Sequence, residues 1–297
     1  MKKTTEIKYP NSANLFQFCR KVLDQKFGGI RVIDQDVGQI LGFDPADCSH
    51  WKKGKKNIRS IQAMKSIAEH LGVDEKLVVD IATGDIEDSE ALFEYSGYGL
   101  FSIDAKLFEQ AKKEYYRKNA STWTKEKENE FKIKFDVNEA AIDAIVSEIH
   151  TKINFDEAPL YLPEVVTHYP ELKLVSSELA ADAKESVEAN KSGKNVTITY
   201  KSDNEMRPYI RFRIAKAMSQ YFLGDLQAEL HDEGYRAHLQ DIQGNLFAAK
   251  LMTPAALIRK EMQNVNVSKD VVTQLAETFW VSKTFMNRRL KSVLSAL

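Results

Sequence analysis

The chain has 297 residues, 43% of them hydrophobic and 29% charged, with 13 Gly, 7 Pro and a formal net charge of -1. This composition supports a sizeable core, fits two globular domains better than one, and excludes fibrous and long low-complexity chains. Its 2 cysteines lack a CxxC-type partner, no window approaches the ~20 apolar residues of a membrane span, and the N-terminus shows no apolar targeting core, so the expectation is a cytoplasmic protein with no membrane role.

From Asn14, the residues Leu15, Phe18, Cys19, Val22 and Leu23 recur at helical spacing and predict a helix ending near Gly28 and Gly29. A second helix carries Ile33, Val37, Ile40 and Leu41 on its inner face and stops at Gly42. Asp44 and Pro45 then supply the N-cap and first-turn proline of a third. On that helix Cys48 and Trp51 are the apolar positions, which leaves Pro45, Ala46, Ser49 and His50 facing outward. Lys52, Lys53, Lys55, Lys56, Arg59 and Lys65 follow with no acidic residue among them, a local basic face in a chain of balanced charge. Ile61, Met64, Ile67, Ala68 and Leu71 predict a fourth helix closing at Gly72, and Val73, Leu77 and Val78 lead into a fifth. The acidic stretch Asp85, Glu87, Asp88, Glu90 and Glu94 reads as a boundary.

With "VGQILGF", the Gly42 to Gly54 spacing around "FDPADCSHWKKG" and the later "IAEHLGV", residues 12–84 resemble a lambda-repressor-type, or XRE-family, helix-turn-helix domain. The resemblance implies a double-stranded DNA operator as partner. Pro45, Ala46, Ser49 and His50 would face base edges in a major groove, and Lys52, Lys53, Lys55 and Lys56 the phosphates. Two positions depart from the pattern: Asp34 stands where the family commonly has a phosphate-binding Gln, and Lys52 where an acidic residue is common. The first change weakens a phosphate contact and the second strengthens one. The competing reading is a protein-interaction bundle whose lysines form a solvated face. A homodimer is expected, because one such bundle buries too little DNA surface for high specificity.

Residues 85–136 read as a helical linker, with Tyr115, Tyr116 and Trp123 either packed on a neighbouring domain or exposed as a partner-binding stripe. From residue 137, EAAIDAIVSEIHTKI predicts an amphipathic helix, LYLPEVVTHY a short one, and LKLVSSEL and NVTITYKSD two strands separated by the turn KSGK. RFRIAKAMSQYFLGD follows as a helix with Ile214, Met218, Tyr221 and Phe222 inward; IQGNLFAAKLMTP, PAALIRKEM and SKDVVTQLAETFWVSKTFMNRRL supply further helices, with Thr253-Pro254 and Ser268 as caps. The expected fold class is therefore mainly α with a small β-sheet: a five-helix bundle at 1–84, a linker at 85–136 and an α+β domain at 137–297.

RFRIAKAMSQ, DIQGNLFAAKLMTP and VSKTFMNRRL give residues 137–295 a resemblance to the ImmA/IrrE family of zinc peptidase-like proteins, which implies a zincin-like fold. In HExxH the two histidines share one helix face and meet one Zn²⁺, while the glutamate takes a proton from bound water. Here the corresponding positions hold Lys216, Ala217 and Gln220, and the third-ligand position holds Asp241. Lysine repels the cation, alanine is no base and glutamine is a poor ligand, so neither a metal nor another cofactor is expected; a Lys216–Asp241 salt bridge would take the metal's structural place. His231, Glu233 and His238 have a spacing that fits no standard ligand helix. Lys283, Arg288, Arg289 and Lys291 close a helical pair that imitates a second DNA reader, but the resemblance places it in the packing of the domain.

Together these features predict a sequence-specific DNA-binding regulator, a repressor, with a catalytically inactive peptidase-like domain that senses a small ligand or protein partner. The alternatives are an active metallopeptidase that cleaves a repressor through unrecognised ligands, and an antitoxin or anti-repressor that grips a protein through the vacated cleft.

Overall fold

The computed structural model describes residues 7–27, 32–86, 88–96, 101, 103–118, 123–177, 187–201, 206–224, 232–266, 268 and 270–295. These residues are mainly helical with one small mixed sheet. The chain divides into two compact units, Met1–Gly97 and Tyr98–Leu297.

In the first unit, α1 (Pro10–Lys26) runs through the middle of α2 (Asp34–Leu41), α3 (Pro45–Lys52), α4 (Ile61–Leu71), α5 (Glu75–Thr83) and α6 (Asp88–Ser96). Leu15, Phe16, Phe18, Cys19 and Val22 of α1 are buried, joined by Val37, Leu41, Cys48, Trp51, Ile67, Leu71, Val78 and Ile81 from the surrounding helices. Burial pushes both thiols up, so they stay protonated in this core. Two sequence expectations need correction. Ile33 and Ile61 are 50% and 69% exposed, because they occupy the N-cap of α2 and the first position of α4, ahead of the inner stripe of each helix. The acidic stretch also contains α6, which packs on α1, with Ala91 buried in the core and Tyr95 edge-on to Phe18, so the first unit holds a sixth helix where a linker was expected. The end of the first helix at Gly28 and Gly29 lies outside the described residues.

In the second unit, α7 (Ala105–Lys118) and α8 (Lys125–Phe135) pack on each other through Tyr115, Trp123, Phe131 and Phe135. Tyr116 also meets Trp123, at 5.1 Å between ring centroids, so the aromatic residues of the expected linker serve helix packing. Ala111 joins Tyr235 and Leu239 in a small core. α9 (Glu139–Lys152) and α10 (Leu162–Thr167) precede a sheet of order β1-β3-β2, with β1 (Leu172–Ser177) parallel and β2 (Val187–Ser192) antiparallel to β3 (Asn195–Lys201). The KSGK turn therefore joins β2 to β3 rather than the two expected strands, with Gly193 at φ 62°. β2 was absent from the sequence reading because only its Val187 is buried.

α11 (Pro208–Phe222) crosses the sheet at β2 and β3 and packs on α12 (Glu233–Met252). Ile214 and Met218 are buried as expected, together with Tyr209, Ile210, Phe212 and Ala215. α13 (Ala255–Met262), α14 (Val271–Phe279) and α15 (Lys283–Ser295) complete the unit. Pro254 caps α13, whereas α14 is capped by Asp270 and not by Ser268: the Asp270 carboxylate accepts from the Val272 and Thr273 amides. Arg211 is buried, donates to the Leu160 carbonyl at 2.8 Å and stacks on Trp280 at 4.3 Å. Its desolvation lowers the guanidinium to about 10.

Candidate functional site

Two surfaces gather the residues singled out in the sequence, one in each unit. In the first, α2 and α3 are joined by a tight turn whose shape depends on two glycines. Gly42 sits at φ 73° as the C-cap of α2, where a Cβ is disfavoured. Gly38 lies where a Cβ would stand 2.9 Å from Cys48 Sγ and 2.9 Å from the Phe43 carbonyl oxygen, so only a bare backbone allows α3 this close. Asp44 accepts from the Ala46 amide at 2.8 Å and starts α3, with Pro45 in its first turn.

Below this surface α3 is pinned to α1. Trp51 Nε1 donates to the Ser12 carbonyl at 2.5 Å, its ring meets Phe16 edge-on at 5.1 Å, and Cys48 is buried beside it. That anchoring leaves Pro45, Ala46 and His50 exposed and Ser49 half-buried on the outer side. The loop after α3 is tied down as well: the Ile58 amide donates to Ser12 Oγ at 3.0 Å, and Tyr9 donates to the Gly54 carbonyl at 2.8 Å.

The lysines on this face are not equivalent, although in sequence they form one run. Lys52 Nζ lies 2.8 Å from Asp34 Oδ2, and Lys56 Nζ lies 2.5 Å from Asp47 Oδ2. Lys53 and Lys55 are exposed and have no acidic partner among the described residues. The expectation of an unopposed basic run is thus corrected: half of its four central lysines are matched by acids from α2 and α3.

In the second unit, β2, α11 and α12 enclose a cleft of about 760 Å³. Lys216, Ala217, Gln220 and Asp241 all line it. Lys216 Nζ donates to Asp241 Oδ1 across the α11–α12 contact, with the lysine side chain 22% and the aspartate 53% exposed. Desolvation lowers the Lys216 ammonium; Asp241 works against that shift and Arg213 adds to it. Gly244 makes the close crossing possible, since a Cβ there would lie 2.9 Å from Ser219 Oγ and 3.4 Å from Lys216 Cγ.

Gln243 also lines the cleft and had no signal in the sequence. It is 2% exposed, and its Nε2 has no hydrogen-bond partner among the described residues. Leaving such a donor unmet costs roughly 1–3 kcal/mol. Ser219 is buried at the same wall.

These residues do not fit a catalytic zinc. The one carboxylate among the four positions that the sequence resemblance aligns with a zinc site is engaged by an ammonium, and the amide of Gln220 is a weak donor to a metal. Among the described residues, no group of three His, Cys, Asp or Glu side chains could hold a metal ion. Glu233 starts α12, His238 Nε2 accepts from the Asp104 amide at 2.8 Å, and His231 lies outside the described residues. Of the basic residues at the C-terminal end, Arg289 is packed inward and donates to the Thr253 carbonyl at 3.1 Å, and burial lowers its guanidinium.

No helix among the described residues is long and apolar enough to cross a membrane. Comparison of the chain with models of protein families, with curated proteins and with solved structures finds no match.

Proposed function

We propose that the chain is a sequence-specific double-stranded DNA-binding regulator, with α3 as its reading helix and a second unit that binds a ligand or partner without catalysing peptide hydrolysis. The observation that carries this reading is the outer side of α3. Pro45, Ala46, Ser49 and His50 stand out in its first turns, held from behind by Cys48 and Trp51, with Lys53 and Lys55 just beyond its end. Small and polar side chains at the N-terminal turns of a supported helix suit base edges in a major groove, and cations at its far end suit phosphates.

Two copies on two half-sites about one helical turn apart would supply the buried surface that one bundle lacks. Repression is the regulatory sense we assign, through occupation of such a site. The reading takes the second unit's sequence resemblance to a zincin-like domain as its premise, with the Lys216–Asp241 pair at the positions that the resemblance assigns to metal ligands. Its part in the reading is recognition rather than chemistry.

The test is selection of bound duplexes from a random pool, followed by affinity measurements with Ser49→Ala and with Lys53→Ala/Lys55→Ala. The serine change should relax preference at one base position, worth about 1–3 kcal/mol of discrimination. The lysine changes should weaken all sequences alike. If no sequence is enriched, the reading fails.

A further inference from the structure

We propose that the cleft between β2, α11 and α12 binds a small organic molecule that carries an oxyanion, a carboxylate or phosphate, with Lys216 and Gln243 as its anchoring residues. The proposal rests on the reading of the second unit as a recognition module and names the chemistry it recognises. A cleft of about 760 Å³ falls within the ~300–1,000 Å³ common for small-molecule sites. Its walls include Val187, Ala189, Ala217, Leu223 and Ala237, which suit an apolar body.

The polar lining suits an anionic head. Lys191, Arg213 and Lys216 face two acids, Glu188 and Asp241, and Asp241 is already engaged by Lys216. Gln243 supplies an amide donor with no partner among the described residues, and the Ser219 hydroxyl stands at the same wall. Lys216, Gln243 and Ser219 all line the cleft; ammonium, amide and hydroxyl groups are the donors an oxyanion requires, and charge-assisted bonds to it are the stronger kind. A cation finds no equivalent set, because the nearest carboxylate is neutralised. Asp241 is 53% exposed, so water can take over its carboxylate when an incoming oxyanion competes for Lys216. Gly244 keeps α12 close to Lys216 and Ser219.

The test titrates the full chain, at constant ionic strength, with phenyl phosphate, benzoate and the neutral benzamide, read by calorimetry and by the thermal unfolding midpoint. Expected is saturable, submillimolar binding of one or both oxyanions at one site per chain, with benzamide silent. Lys216→Met should weaken that binding at least ~10-fold, as loss of a charge-assisted contact predicts. Gln243→Leu, which keeps the side-chain volume and removes an unmet donor, should weaken it several-fold while leaving the protein folded. Lys173→Met, a surface lysine of β1, should change nothing. Preference for phenyl phosphate or for benzoate tells a phosphorylated source from a carboxylate one. Absence of saturable binding, equal binding of benzamide, or indifference to both cleft variants overturns the site. DNA selection is a separate measurement, so either reading can fail while the other stands.

Discussion

Lys52 at the end of α3 is held by Asp34 at the start of α2, Nζ to Oδ2 at 2.8 Å. These are the two positions at which the segment departs from the helix-turn-helix pattern it resembles, and the structure makes them one another's partner. The acid that should repel a phosphate and the lysine that should attract one cancel locally, leaving Lys53 and Lys55 as the open cations of the face. Asp34→Asn should release Lys52. Affinity should rise for specific and unspecific duplexes alike, and the slope of log K against log salt should steepen by about 0.9 for one added phosphate contact. A salt titration of both proteins on one duplex measures it, and an unchanged slope would show that Lys52 does not reach the DNA.

Gly38→Ala probes the α2–α3 contact. The new Cβ meets Cys48 Sγ and the Phe43 carbonyl at 2.9 Å, and a carbonyl cannot step aside as a flexible side chain would. A loss of about 1–3 kcal/mol in unfolding free energy is expected from such overpacking. Denaturant titration reads it; a neutral result would mean that the turn after α2 is looser than described.

Opening the Lys216–Asp241 pair from its two ends should give unequal results. Asp241→Ala leaves a mostly buried ammonium without its partner, yet water reaches the pair, so the cost should be about 1 kcal/mol rather than the larger figure for a dry pair. Lys216→Met replaces the charge with an apolar chain of similar length and should be neutral or mildly stabilising. Equal destabilisation by both variants would contradict this picture of the cleft.

His150 lies half-buried, its Nε2 donating to the Leu251 carbonyl at 2.8 Å, beside a second cavity that includes Asp143, Lys250 and Arg289. Burial holds its imidazole below the usual 6.5, and the hydrogen bond opposes that shift without reversing it. A depressed value means that the unfolded chain binds the proton first. The contribution of this group is thus fully present above pH 6.5 and is lost as pH falls through the lower folded value. His150→Gln keeps a donor and cannot titrate, so unfolding midpoints measured from pH 7.5 to pH 5 should fall less in the variant than in the parent protein. Parallel curves would remove His150 from the acid response.

Most helices were legible because their inner residues repeat at helical spacing, as Leu15, Cys19 and Val22 do in α1, or Ile214 and Met218 in α11. Errors arose where spacing carries no information. Ile33 and Ile61 continue an apolar pattern backwards past the start of a helix, where the chain has not yet turned inward. β2 is polar along nearly its whole length and is a strand because β3 offers it a ladder, not because its own side chains alternate. The acidic composition of α6 outweighed two residues, Ala91 and Tyr95, that fix it to the first unit.

The candidate sites divide in the same way. The outward residues of α3 followed from the burial of Cys48 and Trp51, which the sequence displayed. The pairing of Lys52 and Lys56 with acids did not follow, since it depends on how two helices cross. Lys216 and Asp241 came from motif positions, and their contact needed the close crossing at Gly244. Gln243 gave no signal because a glutamine in a helix is ordinarily a surface residue; only the packing of α12 reveals that its amide is enclosed.

The most direct test of the account is a competition measurement of affinity for the selected duplex against a scrambled duplex of equal length, at two salt concentrations. The account predicts a specificity ratio of about 10³ or more, retained at the higher salt and reduced by Ser49→Ala. Equal affinity for both duplexes, falling steeply with salt and unaffected by the serine change, would contradict α3 as a reading helix.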